Sequence, residues 1–249
     1  MENPSNFIVN TISRKGSLHK DTNEDFLLSV RHQNLLLCAV FDGCSTGKDS
    51  HFASALFGKI LRNVFFSTDL NLNLELDDLL KKLTQSFINQ IIEIKKHLQL
   101  PIDELLATCI ICVLNTQTKE AKILTIGDGF VCLNGQNEII NQNNTPNYLA
   151  YHLENIEKNN SFDSWYNTET QYFQLAETEK LTISTDGILT FKSELNSDEN
   201  FIIEPISYLT SDDFLLGNKS MLSRKINILK NKYALSNADD VSIIRIDFI

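Results

Sequence analysis

The sequence predicts an α+β fold of two packed, mainly antiparallel β-sheets flanked by α-helices, a four-layer α-β-β-α sandwich. Two observations predict it. Strand-like runs open the chain, two amphipathic helices follow, and then come several strands, a helix and a closing strand. Hydrophobic residues make up 42% of 249 residues, which suits one large core, and no internal repeat divides the chain. A single domain over residues 1–249 is therefore expected.

The elements follow from the hydrophobic pattern. Residues 7–13 and 25–31 read as strands joined by a polar segment. The continuous apolar run Leu35-Leu36-Leu37-Cys38-Ala39-Val40-Phe41 stops at Asp42-Gly43, as expected of a strand buried on both faces that ends in a turn. A first helix starts near Asp49 or Ser50 and points Phe52, Leu56, Ile60 and Leu61 inward. A second, with Asp77 as its expected cap, aligns Leu76, Leu79, Leu80, Leu83, Phe87, Ile91, Ile94 and Leu98, and Pro101 ends it. Strands return at 108–114, 121–126 and 130–133, the first two joined by a hairpin loop at 115–119. From 134 to 170 the pattern weakens into an Asn-rich stretch carrying Trp165 and scattered aromatics. This is expected to be a variable flap or insertion with one short helix near 149–158. Strands at 172–175 and 181–184, a helix at 220–232 and a strand at 241–248 complete the chain.

Charge and cysteine usage narrow the function classes. Asp and Glu number 32 against 22 Lys and Arg, a net charge of -10. So negative a surface repels phosphate backbones and anionic lipid, which argues against nucleic-acid or membrane partners. The five cysteines are Cys38, Cys44, Cys109, Cys112 and Cys132, and three of them lie inside apolar strand-like runs. That reads as buried free thiols in a reducing compartment. Cys109 and Cys112 are spaced so that a strand points them to opposite faces, which disfavours a metal or redox pair. With no leader-like start and no apolar run of the roughly 20 residues that cross a bilayer, a cytoplasmic protein is expected. High Asn, Ile and Lys hint at an AT-rich, bacterial genome.

Acidic residues recur where apolar strands end: Asn23-Glu24-Asp25, Asp42-Gly43, Gly127-Asp128-Gly129, Asp186-Gly187 and Asp239-Asp240. One Asp-Gly is an ordinary turn. Repeated at strand ends, such carboxylates converge at one edge of the sheets, where hard cations relieve their repulsion.

In order and spacing, Asn23-Glu24-Asp25, Val40-Phe41-Asp42-Gly43, Ile126-Gly127-Asp128, Ser184-Thr185-Asp186-Gly187 and Ala238-Asp239-Asp240-Val241-Ser242 resemble the motifs of the protein phosphatase 2C family. Each motif is weak alone; five in sequence across nearly the whole chain are specific. The resemblance implies a metal-dependent phosphoserine/phosphothreonine phosphatase holding two Mg²⁺ or Mn²⁺ ions. It implies that Asp42 bridges both ions, that Glu24 and the Gly43 carbonyl serve one, and that Asp186 and Asp239 serve the other. Asp128 matches the acidic residue linked to a third, weaker ion, while Asn23, Asp25 and Asp240 support the ligands. Thr108 matches a structural Thr of the family. Two such cations would supply a water acidified towards neutral pH for in-line attack on phosphorus, as the resemblance implies. The implied partners are a phosphorylated protein and an opposing Ser/Thr kinase in a signalling pathway.

Two positions depart from the family. Cys44 stands where a His usually follows Asp-Gly, so the proton for the leaving oxygen comes from Cys44 itself, His51 or His19. Lys20 stands where an Arg usually holds phosphate, and it offers a point charge in place of a bidentate fork. Both departures leave an alternative: a weak or silent relative that binds phosphoproteins or scaffolds a partner.

Overall fold

The computed structural model describes residues 6–19, 21–44, 49–67, 74–141, 146–193 and 203–249. One sheet has the order β1-β12-β9-β6-β7, built from β1 (Phe7–Arg14), β12 (Val241–Phe248), β9 (Lys180–Ser184), β6 (Gly129–Leu133) and β7 (Gln136–Ile140). The other has the order β2-β3-β4-β5-β8, from β2 (Asp25–His32), β3 (Leu35–Gly43), β4 (Ala107–Asn115), β5 (Ala121–Ile126) and β8 (Gln171–Leu175). Every pairing in both sheets is antiparallel. A short ribbon of β10 (Phe191–Ser193) and β11 (Leu235–Asn237) stands apart from them.

Period-2 alternation explains the four layers. On β3, Leu36, Cys38 and Val40 pack between the sheets, against Val131, Ile183, Ile244 and Ile246. Leu35, Leu37, Ala39 and Phe41 face the other way, onto α1 (Ser50–Phe65) and α2 (Leu76–Leu98). The run is buried on both faces, as its unbroken apolarity predicts. Cys109 and Cys112 fall in opposite layers for the same reason, and no disulfide joins any of the five cysteines. Behind the other sheet, α5 (Pro205–Thr210) and α6 (Met221–Tyr233) close a third cluster around Phe130, Ile188 and Ile243.

Local expectations need four corrections. The inward face of α1 is Ala53, Phe57, Ile60, Leu61 and Val64, with Phe52 and Leu56 only half-buried. The cap of α2 is Glu75, not Asp77, whose carboxylate instead takes Lys122 Nζ at 2.8 Å and the Tyr172 hydroxyl. Leu98, expected on the buried stripe of that helix, is 59% exposed at its C-terminal end, beyond the last buried residue of the helix, Ile92. The short helix α5 was not expected, although Pro205 at its first turn and Glu204 capping Ile206 and Ser207 N–H are ordinary start signals.

The Asn-rich stretch holds β7, then α3 (Leu153–Asn159) and α4 (Phe162–Thr168). Leu149, Leu153, Ile156, Phe162 and Trp165 pack into the helix-side core, so Trp165 anchors this segment rather than facing outward. No helix among the described residues is long and apolar enough to cross a membrane.

Candidate metal centre

Two structural layers meet at the carboxylates. Asp42 ends β3, and its register partner on β2 is Asp25. Asp128 lies in the turn that carries the chain from β5 to β6, that is, from one sheet to the other. From the opposite sheet, Asp186 follows β9 and Asp239-Asp240 precede β12. Thus the strand-end acids that are far apart in sequence converge where the two sheets abut.

Small residues make that approach possible. A Cβ on Gly187 would stand 1.7 Å from the Asp240 carbonyl oxygen, and one on Gly16 would stand 2.3 Å from the Asp239 carbonyl carbon. Gly127 has φ +83°, and a Cβ there would press on the Thr108 methyl at 2.9 Å. Thr108 in turn is the register partner of Asp42 on β4. Its structural role is to back the turn that bears Asp128.

Hydrogen bonds then fix the loops. Asp240, 2% exposed, accepts Gly16 N–H on Oδ1 and Glu24 N–H on Oδ2, both at 2.6 Å. Glu24 is therefore placed by Asp240. Asn23 accepts Asp25 N–H at 3.0 Å and donates to Ser13 Oγ at 2.7 Å, tying the start of β2 to β1. Thr185 Oγ1 donates to Asp25 Oδ2 at 2.8 Å and accepts Ser242 N–H at 2.9 Å. Asp239 N–H is held by Thr190 Oγ1 at 3.1 Å. The Gly43 N–H donates to the Glu24 carbonyl at 3.2 Å, joining the two parts of the expected ligand set.

The electrostatics are those of crowded carboxylates. Desolvation, then the charges of Asp25, Asp186 and Asp239, hold the Asp42 carboxyl well above its usual range. Desolvation, followed by Asp239 and Asp128, pushes Asp186 up to about 6. Desolvation is also the main cause for Asp25, pushed up to about 7 with Asp240 adding to it and the Thr185 hydrogen bond opposing. Asp25 Oδ1 is buried with no hydrogen-bond partner. Hard oxygen donors that repel one another, with an orphaned buried carboxylate oxygen among them, fit divalent Mg²⁺ or Mn²⁺.

The remaining expected residues fall differently. Cys44 is half-buried; its N–H donates to the Leu106 carbonyl at 3.0 Å, and its side chain is hydrogen-bonded with the Tyr148 hydroxyl. Burial, then Cys44 and Asp42, push the Tyr148 phenol upward, so this tyrosine stands at the edge of the acidic centre. Sequence reasoning missed it because Tyr148 lies in the Asn-rich stretch, where no periodicity signals a position. His51 is exposed on the first turn of α1, with its carbonyl accepting Ser54 Oγ at 3.1 Å. Lys20 lies outside the described residues. His19, by contrast, enters the centre: Nε2 is 2.9 Å from Asp239 Oδ1, and Nδ1 is 3.1 Å from Asp240 Oδ2 and 3.6 Å from Glu24 Oε2.

Residues 16–216 match the family model described as Protein phosphatase 2C. No curated protein sequence matches the chain. Among solved structures, the chain is similar to the serine/threonine phosphatase Stp1 from Staphylococcus aureus, at 14% identity and a TM-score of 0.60, covering 100% of this chain and 98% of that one. It is similar to the S. agalactiae serine/threonine phosphatase at 11% identity and a TM-score of 0.64, covering 98% and 100%. It is also similar to RsbX in complex with magnesium, at 15% identity and a TM-score of 0.56, covering 100% and 98%. The fold is shared with all three, and the family match spans the turns that carry Glu24, Asp42, Asp128 and Asp186. The chain belongs to the protein phosphatase 2C family of metal-dependent protein phosphatases.

Proposed function

We propose that this chain hydrolyses phosphoserine and phosphothreonine in proteins, with Glu24, Asp42, the Gly43 carbonyl, Asp186 and Asp239 holding two divalent cations. The observation that carries the reading is that Asp42 at the end of β3, Asp186 after β9 and Asp239 before β12 come together from facing sheets at their common boundary. That is the placement a bridging ligand needs. Asp128, which acts on Asp186, is assigned to a third, weaker cation. The crystallised complex of RsbX with magnesium supports the choice of a hard cation.

Bound there, divalent cations supply an acidified water and offset the charge of the phosphoryl oxygens. The chain's own residues do the rest. Asp25, Asn23 and Asp240 keep the ligand loops in register through the bonds described above. Lys20 is assigned to the phosphate, and Cys44 and His51 are the assigned proton donors to the departing serine or threonine oxygen. A Ser/Thr kinase in the same cytoplasm would supply the substrate.

The test is hydrolysis of p-nitrophenyl phosphate and of a phosphothreonine peptide with Mn²⁺, Mg²⁺ or EDTA, using wild type beside Asp42→Asn. Metal-dependent turnover that falls at least about a hundredfold in the variant is expected, since a bridging ligand contributes several kcal/mol. Turnover unaffected by EDTA would overturn the metal assignment. No turnover with any cation would turn the reading to a phosphoprotein-binding relative.

A further inference from the structure

The chain carries a net charge of -10, yet one cleft beside the metal centre is walled by cations. We propose that this cleft is a phosphate-binding subsite, which holds a second phosphorylated side chain of the protein whose first phosphate is at the metal centre. This rests on the phosphatase reading of the site.

The cleft measures about 100 Å³ and lies where the end of β1, α6 and β11 meet. Period-2 spacing puts Arg14 on the face of Ile12, which packs into the cluster beneath α6. On α6, Lys230 follows the buried Ile226 by one turn, so both reach the same cleft. Lys15, Ser17 and Ser236 complete the polar wall. Lys192 stands directly opposite Ser236 in the β10-β11 ribbon, so its side chain shares that face. No carboxylate among the described residues lines the cleft. Arg14 Nη1 donates to the neutral Asn227 Oδ1 at 2.8 Å, which orients the guanidinium without neutralising it.

Size and chemistry select the ligand. The cleft has room for about three waters, well below the roughly 300 Å³ of a pocket for a drug-sized molecule. One compact anionic group fits. A phosphate brings about -2 charge and three acceptor oxygens, which match a guanidinium fork, ammonium groups and hydroxyls better than one carboxylate does.

Position makes the group part of the substrate. Segments 14–19 and 235–240 wall the cleft and also reach the centre. Ser17 N–H donates to the Asn237 carbonyl at 3.1 Å, and Asn237 Nδ2 donates to the Asp239 carbonyl at 2.8 Å. Cα atoms two positions apart, as in Asn237 and Asp239, stand at most about 7 Å from each other. An extended peptide advances about 3.3 Å per residue, so phosphates roughly two to four residues apart reach both places.

The experiment gives the full chain phosphothreonine peptides that carry phosphoserine, glutamate or alanine about three residues away, with Mn²⁺ present. In wild type the phosphoserine is expected to lower KM about tenfold against alanine, with kcat unchanged, and glutamate to lower it about twofold. Arg14→Gln/Lys230→Gln removes the advantage, while p-nitrophenyl phosphate turnover stays within about twofold of wild type. Equal KM for the phosphoserine and alanine peptides in wild type, or an advantage that survives the double substitution, would overturn the proposal. A gain from glutamate as large as that from phosphoserine would overturn the phosphate assignment. If no cation supports turnover, the phosphatase reading fails by itself, and fluorescence anisotropy in EDTA decides the cleft. There, a phosphoserine peptide that binds wild type about tenfold more tightly than its unphosphorylated form, and the double variant no more tightly, supports the subsite. Equal binding of the two forms to wild type overturns it.

Discussion

Asp240 is the residue on which the geometry of the centre turns. Its oxygens collect Gly16 N–H, Glu24 N–H and the His19 ring, so one buried carboxylate sets the path of the loop before β2. In Asp240→Asn one oxygen becomes an NH₂ group that cannot accept, leaving a backbone donor unsatisfied. The expected cost is about 1–3 kcal/mol in urea unfolding, with Mn²⁺ affinity down about ten- to a hundredfold by titration calorimetry. Gly187 is constrained by distance alone. Gly187→Ala drives a methyl into the Asp240 carbonyl 1.7 Å away, which backbone must move to relieve. Destabilisation of at least about 1–3 kcal/mol is expected from the same unfolding measurement.

At the scale of elements, β12 shows how a strand's polar residues can be structural. Arg245 and Asp247 lie two apart on one face, and both are 0% exposed. Arg245 Nε donates to both Asp247 oxygens at 3.0 Å, while Nη1 donates to the carbonyls of Leu209 at 3.2 Å and Asp212 at 2.8 Å. Lys225 of α6 does the same for the carbonyls of Tyr208 at 2.7 Å and Asp212 at 2.5 Å. These cations satisfy the C-terminal carbonyls of α5 and clamp it to the sheet. Asp247→Ala leaves a buried guanidinium under-compensated, and a loss of about 3–5 kcal/mol in denaturant melts is expected. The pair belongs to the helix side of β12, so Mn²⁺ affinity should stay within about threefold of wild type.

For the whole molecule, the acidic centre couples stability to pH and metal. Asp25 at about 7 and Asp186 at about 6 hold protons in the folded state that the unfolded chain releases near the ordinary carboxylate value. Between about pH 4 and 7 the folded state therefore binds more protons, and the linkage slope is negative: metal-free stability falls as pH rises. Divalent cations bind the ionised cluster and reverse the trend, by about 2.7 kcal/mol at a hundred times the dissociation constant. Thermal melts in EDTA should move down from pH 5 to pH 8, and Mg²⁺ or Mn²⁺ should raise them more at pH 8 than at pH 5. A melting temperature that climbs with pH in EDTA would contradict this.

The sequence by itself determined the layer order and the acidic set. Apolar runs long enough to be buried on both faces point to central strands, and carboxylates repeated at strand ends mark where acids can converge at a sheet edge. Period-2 spacing alone put Cys109 and Cys112 in different layers. What only the tertiary structure decided is which polar groups face one another. His19 sits in an unpatterned loop, and Tyr148 in an Asn-rich stretch, so neither has a periodicity that says where its side chain points. Asp77 reads as a helix cap until β5 and β8 bring Lys122 and Tyr172 to it. Backbone pattern is a local property, written in each segment. Partnership between distant side chains exists only once the sheets have packed.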